Sequence, residues 1–143
     1  PWEDIWILRA GVSLEQVSRC IVVTTDASKT SWGAVCSGHA ASGVCTGSQL
    51  LWHINCLELV TVLLALKRFR PLIQGKHVLT HTDNTVTVAY VNIQGSVRSF
   101  RMSQLARHLL LWSQHRLKSL HSTHFPGKLN RVANFLSRHV SLQ

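Results

Sequence analysis

Three carboxylates in this sequence stand where side chains could do chemistry. Asp26 closes the run Ile21-Val22-Val23-Thr24-Thr25, Asp83 closes His77-Val78-Leu79-Thr80-His81-Thr82, and Glu58 falls early in the apolar stretch that opens at Asn55. The first run, continuous and β-branched, reads as a central strand buried on both faces. An aspartate ending such a strand breaks the apolar pattern. Buried without a partner it is costly, so it must meet a cation, a donor or open water. Asp26-Ala27-Ser28 is also good turn chemistry, and Asp26 alone does not separate a turn residue from a functional one. If the strands ending in Asp26 and Asp83 are parallel neighbours, both carboxylates lie at the edge where open α/β sheets place ligands. Glu58 can project to the same spot. Three converging carboxylates repel strongly unless divalent cations neutralise them. An all-oxygen donor set favours Mg²⁺ or Mn²⁺ over zinc.

The elements that must position these groups follow from pattern and punctuation. Strands are expected at 20–26, 32–36 and 43–46, the last two joined by a loop over 37–42, as an antiparallel meander. Asn55-Cys56-Leu57-Glu58 has the spacing of a capping box, and helix formers continue to about Phe69. This helix is apolar nearly all round and should be buried; Pro71 and Gly75 end it. A strand over 77–83 and a short helix over 84–92 follow. An amphipathic helix over 98–117 then carries Met102, Leu105, Ala106 and Leu109 on one face. A last strand over 120–125 and a helix over 131–138, capped by Asn130, close the chain. The order is that of an α/β domain with one antiparallel edge, and right-handed crossovers make the strands at 20–26, 77–83 and 120–125 parallel. Residues 1–19 read as a leader or a connection to a preceding domain, and 20–143 as the domain itself.

Lysine and arginine number 15 against 6 acidic residues, a net charge of +9 with pI ≈ 10.3. The basic residues are spread from Arg9 to Arg138, so the excess is not a tail effect. A polyanionic partner, most simply nucleic acid, fits this balance. Lys67, Arg68, Arg98, Arg101, Arg107 and Lys118 are the expected phosphate contacts. Together with the carboxylates, this charge points to metal-assisted phosphodiester chemistry. A hydrophobic content of 45% argues against a disordered chain. The longest apolar run, near Leu57–Leu66, is too short to cross a bilayer. The four cysteines form no CxxC pair and read as reduced, intracellular thiols. The first residue is Pro1 and the only methionine Met102, as expected of a processed piece, an engineered fragment or a segment cut from a longer polyprotein.

Taken in order, four stretches resemble the motifs of ribonuclease H domains. Val23-Thr24-Thr25-Asp26-Ala27-Ser28 with Trp32-Gly33-Ala34 resembles the opening motif, and Ile54-Asn55-Cys56-Leu57-Glu58-Leu59 the glutamate motif. His81-Thr82-Asp83-Asn84 resembles the second aspartate motif. His124-Phe125-Pro126-Gly127, continued through Asn130 and Asn134 to Leu136-Ser137-Arg138, resembles the final motif of retrotransposon versions. The likeness covers about residues 20–140. Leu51-Trp52-His53-Ile54-Asn55-Cys56-Leu57-Glu58 is most similar to DIRS-type retroelements, with gypsy-like elements second.

The resemblance implies a five-stranded mixed sheet flanked by helices, with three antiparallel and then parallel strands. It also implies cleavage of the RNA strand of RNA–DNA hybrids with two Mg²⁺ or Mn²⁺ ions roughly 4 Å apart. It assigns Asp26 as the bridging ligand, Glu58 and Asp83 to the leaving-group side, and position 134 to the nucleophile side. Asn55 matches a contact to the RNA 2′-hydroxyl, although it reads equally well as a helix N-cap. The resemblance makes Asn84 and Ser28 further expected substrate contacts. His124 matches the auxiliary histidine and reads equally well as a structural one. Asn134 departs from the pattern, since the family has aspartate there: asparagine offers a carbonyl oxygen but no charge. Two outcomes stay open, a nuclease weakened on the nucleophile side and a catalytically inactive hybrid-binding or connecting module. The implied partners are an RNA–DNA hybrid and an adjacent reverse transcriptase domain, in an intracellular setting without a membrane.

Overall fold

The structure, a computed structural model, describes residues 20–93 and 100–126. The proposed leader, Arg98 and the final motif from Gly127 onward, with Asn130 and Asn134, lie outside the described residues. Five strands form one sheet: β1 (Ile21–Ala27), β2 (Ser31–Cys36), β3 (His39–Val44), β4 (His77–Thr82) and β5 (Ser119–His124), in the order β3-β2-β1-β4-β5. β1, β2 and β3 pair antiparallel, while β4 and β5 run parallel to β1. This is the mixed sheet expected from the sequence. Among the described residues four α-helices accompany it, α1 (Ile54–Arg68), the short α2 (Arg70–Ile73), α3 (Thr85–Ile93) and α4 (Phe100–Gln114), with a 3₁₀ turn at Gly47–Leu51.

The core lies between one sheet face and the helices. Val23, Trp32, Ala34, Cys36, Ala41 and Val78 meet Leu59, Val62, Leu63 and Leu66 of α1, with Tyr90, Val91, Met102, Ala106 and Leu109 closing the layer. α1 touches β1 and β2 on one side and α3 and α4 on the other. That double packing is why its sequence is apolar nearly all round. Its one buried hydroxyl, Thr61, donates back to the Leu57 carbonyl at 2.6 Å. At the sheet's outer edge the Asn92 amide donates to the Ser122 carbonyl and accepts from the Ser122 N–H, both at 2.8 Å. That side-chain amide takes the place of a further strand over part of β5.

Three local expectations change. β3 begins at His39, not Gly43, because the hairpin closes on Ser37-Gly38 alone. Both residues have positive φ (49° and 80°), as a type I′ two-residue loop requires. Helix α1 is capped by His53, whose Nδ1 accepts from the Asn55 N–H at 3.0 Å; the capping box at Asn55 does not form. β1 is not buried on both faces: Val23 and Thr25 are fully buried, but Val22 on the opposite face is 37% exposed.

Gly43 explains the otherwise weak β3. It pairs with Trp32, and a Cβ at Gly43 would stand 2.5 Å from the indole Nε1. Gly43→Ala must therefore displace a buried tryptophan. A loss of about 1–3 kcal/mol in a urea titration is expected, and unchanged stability would show that the indole does not rest on this strand.

Candidate active site

The register of the sheet brings the two aspartates together. Thr24 of β1 pairs with His81 of β4, so two residues further along each strand Asp26 and Asp83 lie side by side at the carboxyl edge. Glu58 reaches them from α1, which packs on β1. Its Oε1 accepts the Ala27 N–H at 3.3 Å. The three residues offer carboxylate oxygens that all lie within 4.8 Å of one another. Asp26 and Glu58 are buried (5% and 4% exposed) and Asp83 is half-buried. Burial, then the charges of Asp26 and Asp83, push the Glu58 carboxyl up to about 9, against the pull of the Ala27 hydrogen bond.

Glu58 Oε2 is buried and makes no hydrogen bond among the described residues. An orphaned carboxylate oxygen inside a cluster of like charges is costly, and a proton or a cation relieves it. The donor set is oxygen only, so these residues fit a hard divalent ion. These carboxylates are also the only acidic residues from position 20 onward; Glu3, Asp4 and Glu15 lie in the segment before it. Among the described residues, negative side-chain charge is therefore confined to this edge.

Around the cluster, Asn55 and Asn84 form one unit. Asn84 Oδ1 accepts the Thr87 N–H at 2.9 Å and so caps α3, while Asn84 Nδ2 donates to Asn55 Oδ1 at 2.9 Å. Because Asn84 must present its oxygen to Thr87, its nitrogen faces Asn55. Asn55 therefore presents its carbonyl inward and keeps its NH₂ donors unspent among the described residues. The reading of Asn55 as the helix cap is set aside by His53.

Ser28 lies in the β1–β2 turn, where its Oγ accepts the Ser31 N–H at 3.1 Å. His124 ends β5 opposite Thr82, at the same sheet edge as Asp83. His81 stacks on Phe125 with ring centroids 4.6 Å apart, and burial lowers its pKa to about 4. Sequence reasoning named Arg101 but not Lys29, nor their meeting on Trp52. Lys29 Nζ donates to the Trp52 carbonyl at 3.2 Å, and the Arg101 guanidinium lies 4.5 Å from the Trp52 ring centroid. Their separation along the chain leaves no local signal for such a meeting.

Fold and site together define an α/β domain of ribonuclease H-like topology with a carboxylate cluster at its carboxyl edge. The chain belongs to the RNase H-like domain family found in reverse transcriptases, whose model matches residues 16–111. No curated protein matches it. Among solved structures it is similar to LC11-RNase H1 in complex with an RNA/DNA hybrid, at 16% identity and TM-score 0.73, over 86% of this chain and 99% of that one. It is similar to RNase H1 from the halophilic archaeon Halobacterium salinarum NRC-1, at 15% identity and TM-score 0.66, over 85% and 96% of the two chains. The foamy viral protease-reverse transcriptase in complex with an RNA/DNA hybrid aligns at 15% identity and TM-score 0.58, over 90% of this chain and 21% of that one. At these identities the likeness speaks for the fold.

Proposed function

We propose that this domain cleaves the RNA strand of RNA–DNA hybrids as part of a retroelement polyprotein, next to a reverse transcriptase domain. The observation that carries the reading is the convergence of Asp26, Glu58 and Asp83 at one sheet edge of an otherwise cationic domain. A DIRS-type element, with a gypsy-like one second, is the source we infer from the Leu51–Glu58 stretch. An intracellular setting, cytoplasmic or nuclear, goes with it. In this reading residues 20–143 are the functional unit and 1–19 the connection to what precedes it. Among the described residues no helix is long and apolar enough to cross a membrane.

Asp26, Glu58, Asp83 and the position of Asn134 would hold two Mg²⁺ or Mn²⁺ ions. Bound there, such ions supply Lewis-acid activation of water and charge stabilisation at the leaving 3′ oxygen. The chain's own residues do the rest. The free NH₂ of Asn55, fixed by Asn84, is set to donate to a 2′-hydroxyl, the group that separates RNA from DNA. Lys29 and Arg101 flank the cluster as candidate phosphate contacts, and Ser28 and Asn84 hold the loops from which the strand would be met. His124 stands at the same edge as a group able to carry a proton.

A second reading is favoured by one residue. Asn134 removes a charge from the four-carboxylate pattern, which fits a domain that binds hybrid without cutting it. The test is cleavage of labelled RNA–DNA hybrid, RNA–RNA duplex and DNA duplex in Mg²⁺ and Mn²⁺. The nuclease reading expects cuts in the RNA of the hybrid alone. Hybrid binding without cleavage selects the second reading, and cleavage of RNA–RNA duplex as fast as hybrid removes the first.

A further inference from the structure

The cations that the sequence groups as phosphate contacts fall in two places. Arg101 lies at the carboxylate edge, over Trp52. Lys67, Arg68 and Lys118 do not. Lys67 and Arg68 close α1, nine and ten residues after Glu58, ~14–15 Å further along the helix axis. Lys76 precedes β4, whose far end leads into Asp83, ~20 Å away along the strand. Lys118 precedes β5, and its N–H donates to the Lys76 carbonyl at 2.9 Å, which sets the two lysines on adjacent strand starts. Arg70 opens α2 in the same connection.

All five side chains are exposed. No carboxylate among the described residues is available to them, because all three lie at the other edge. The helix dipole explains a cation at the end of α1, but not lysines at the starts of two strands.

We propose that this edge, opposite the carboxylates, is a second nucleic-acid surface. Lys67, Arg68, Arg70, Lys76 and Lys118 take the phosphates of a segment other than the one held at the carboxylates. A specific protein interface needs buried apolar or aromatic anchors. None of the exposed large hydrophobics (Val22, Val44, Leu50, Leu51, Val86, Phe100, Leu111) falls within residues 67–76 or 116–118. A phosphodiester backbone asks only for cations spread along its path, and it is held without regard to sequence. The proposal does not rest on cleavage of hybrid at the carboxylates.

The test uses the 143-residue chain and DNA duplex in the presence of a chelator, so that no metal draws phosphate to the carboxylates. Binding is titrated against salt for the wild type and for the triple variant Arg70→Gln/Lys76→Gln/Lys118→Gln. These side chains are exposed, so the thermal midpoint should be unchanged, and a Lys76→Arg/Lys118→Arg variant controls for shape. The expected result is a slope of log affinity against log salt shallower by about 2–3 in the glutamine variant and unchanged in the arginine one. An unchanged slope in the glutamine variant overturns the proposal. Loss of binding to an acidic peptide with duplex binding intact also overturns it, and assigns the edge to a protein.

Discussion

Asn134→Asp is expected to raise hybrid cleavage by several orders of magnitude. Four carboxylates balance the charge of two divalent ions; with Asn134, the domain from residue 20 onward holds only Asp26, Glu58 and Asp83. In the proposed two-ion reading the missing charge falls on the side that activates the attacking water, where an unneutralised pair of metal ions costs most. Loss of a supporting partner typically costs ~10–100-fold in metal affinity or activity, and loss of a charged ligand should exceed that. In the same reading the substitution adds a fourth like charge to the cluster, whose Glu58 carboxyl is already pushed up to about 9. The variant should therefore be less stable than the wild type without metal and more active with it. Single-turnover cleavage and a thermal melt in chelator read the two changes together. Equal cleavage by both forms would place Asn134 outside the metal site.

The second large effect is on stability against pH. The Glu58 carboxyl titrates near 9 in the folded protein against an ordinary 4.5. Below pH 4.5 both states keep the proton and the group costs nothing. From 4.5 to 9 the unfolded chain releases a proton from Glu58 that the folded chain retains. Up to about 6.5 the buried His81, its pKa lowered to about 4, works the opposite way, so the net fall of metal-free stability with rising pH is read from 6.5 to 9. The fall has an upper limit of about 1.4 kcal/mol per unit. Glu58→Gln carries no proton to lose. It should flatten this dependence, overtake the wild type in metal-free stability by pH 8, and lose the stabilisation that Mn²⁺ gives by binding the folded state. Denaturant titrations at several pH values, with and without Mn²⁺, measure all three. A wild-type stability that is flat from pH 6.5 to 9 would mean that Glu58 is solvated and ionised.

The carboxylate pair was legible because a strand's end is marked in one dimension. Two β-rich runs each closing on aspartate need only parallel pairing to meet, and β1 and β4 pair with the same offset on both strands. Helix α1 was legible through its apolar run. What depended on a single loop or a distant partner was not. His39-Ala40-Ala41-Ser42 lacks β-branched residues and reads as loop, yet two positive-φ residues at Ser37-Gly38 and the Trp32–Gly43 pairing make it strand. The pattern Asn-x-x-Glu suggested a cap where the histidine before it does the capping. That frees Asn55 for Asn84, a contact 29 residues away that no local pattern encodes. The spread of cations along the chain likewise concealed their division between two edges.

The most direct test of the carboxylate site is the proton balance of metal binding. With its carboxyl pushed up to about 9, Glu58 is expected to keep its proton at pH 7 in the metal-free protein, and a divalent ion can be held by it only as that proton leaves. Calorimetric titration with Mn²⁺ in two buffers of different ionisation enthalpy should show saturable binding with about one proton released per ion at the first site. That release should vanish in Glu58→Gln. Absence of saturable binding, or binding with the same proton release in Glu58→Gln, would contradict the assignment of Asp26, Glu58 and Asp83 as the metal-holding core of this domain.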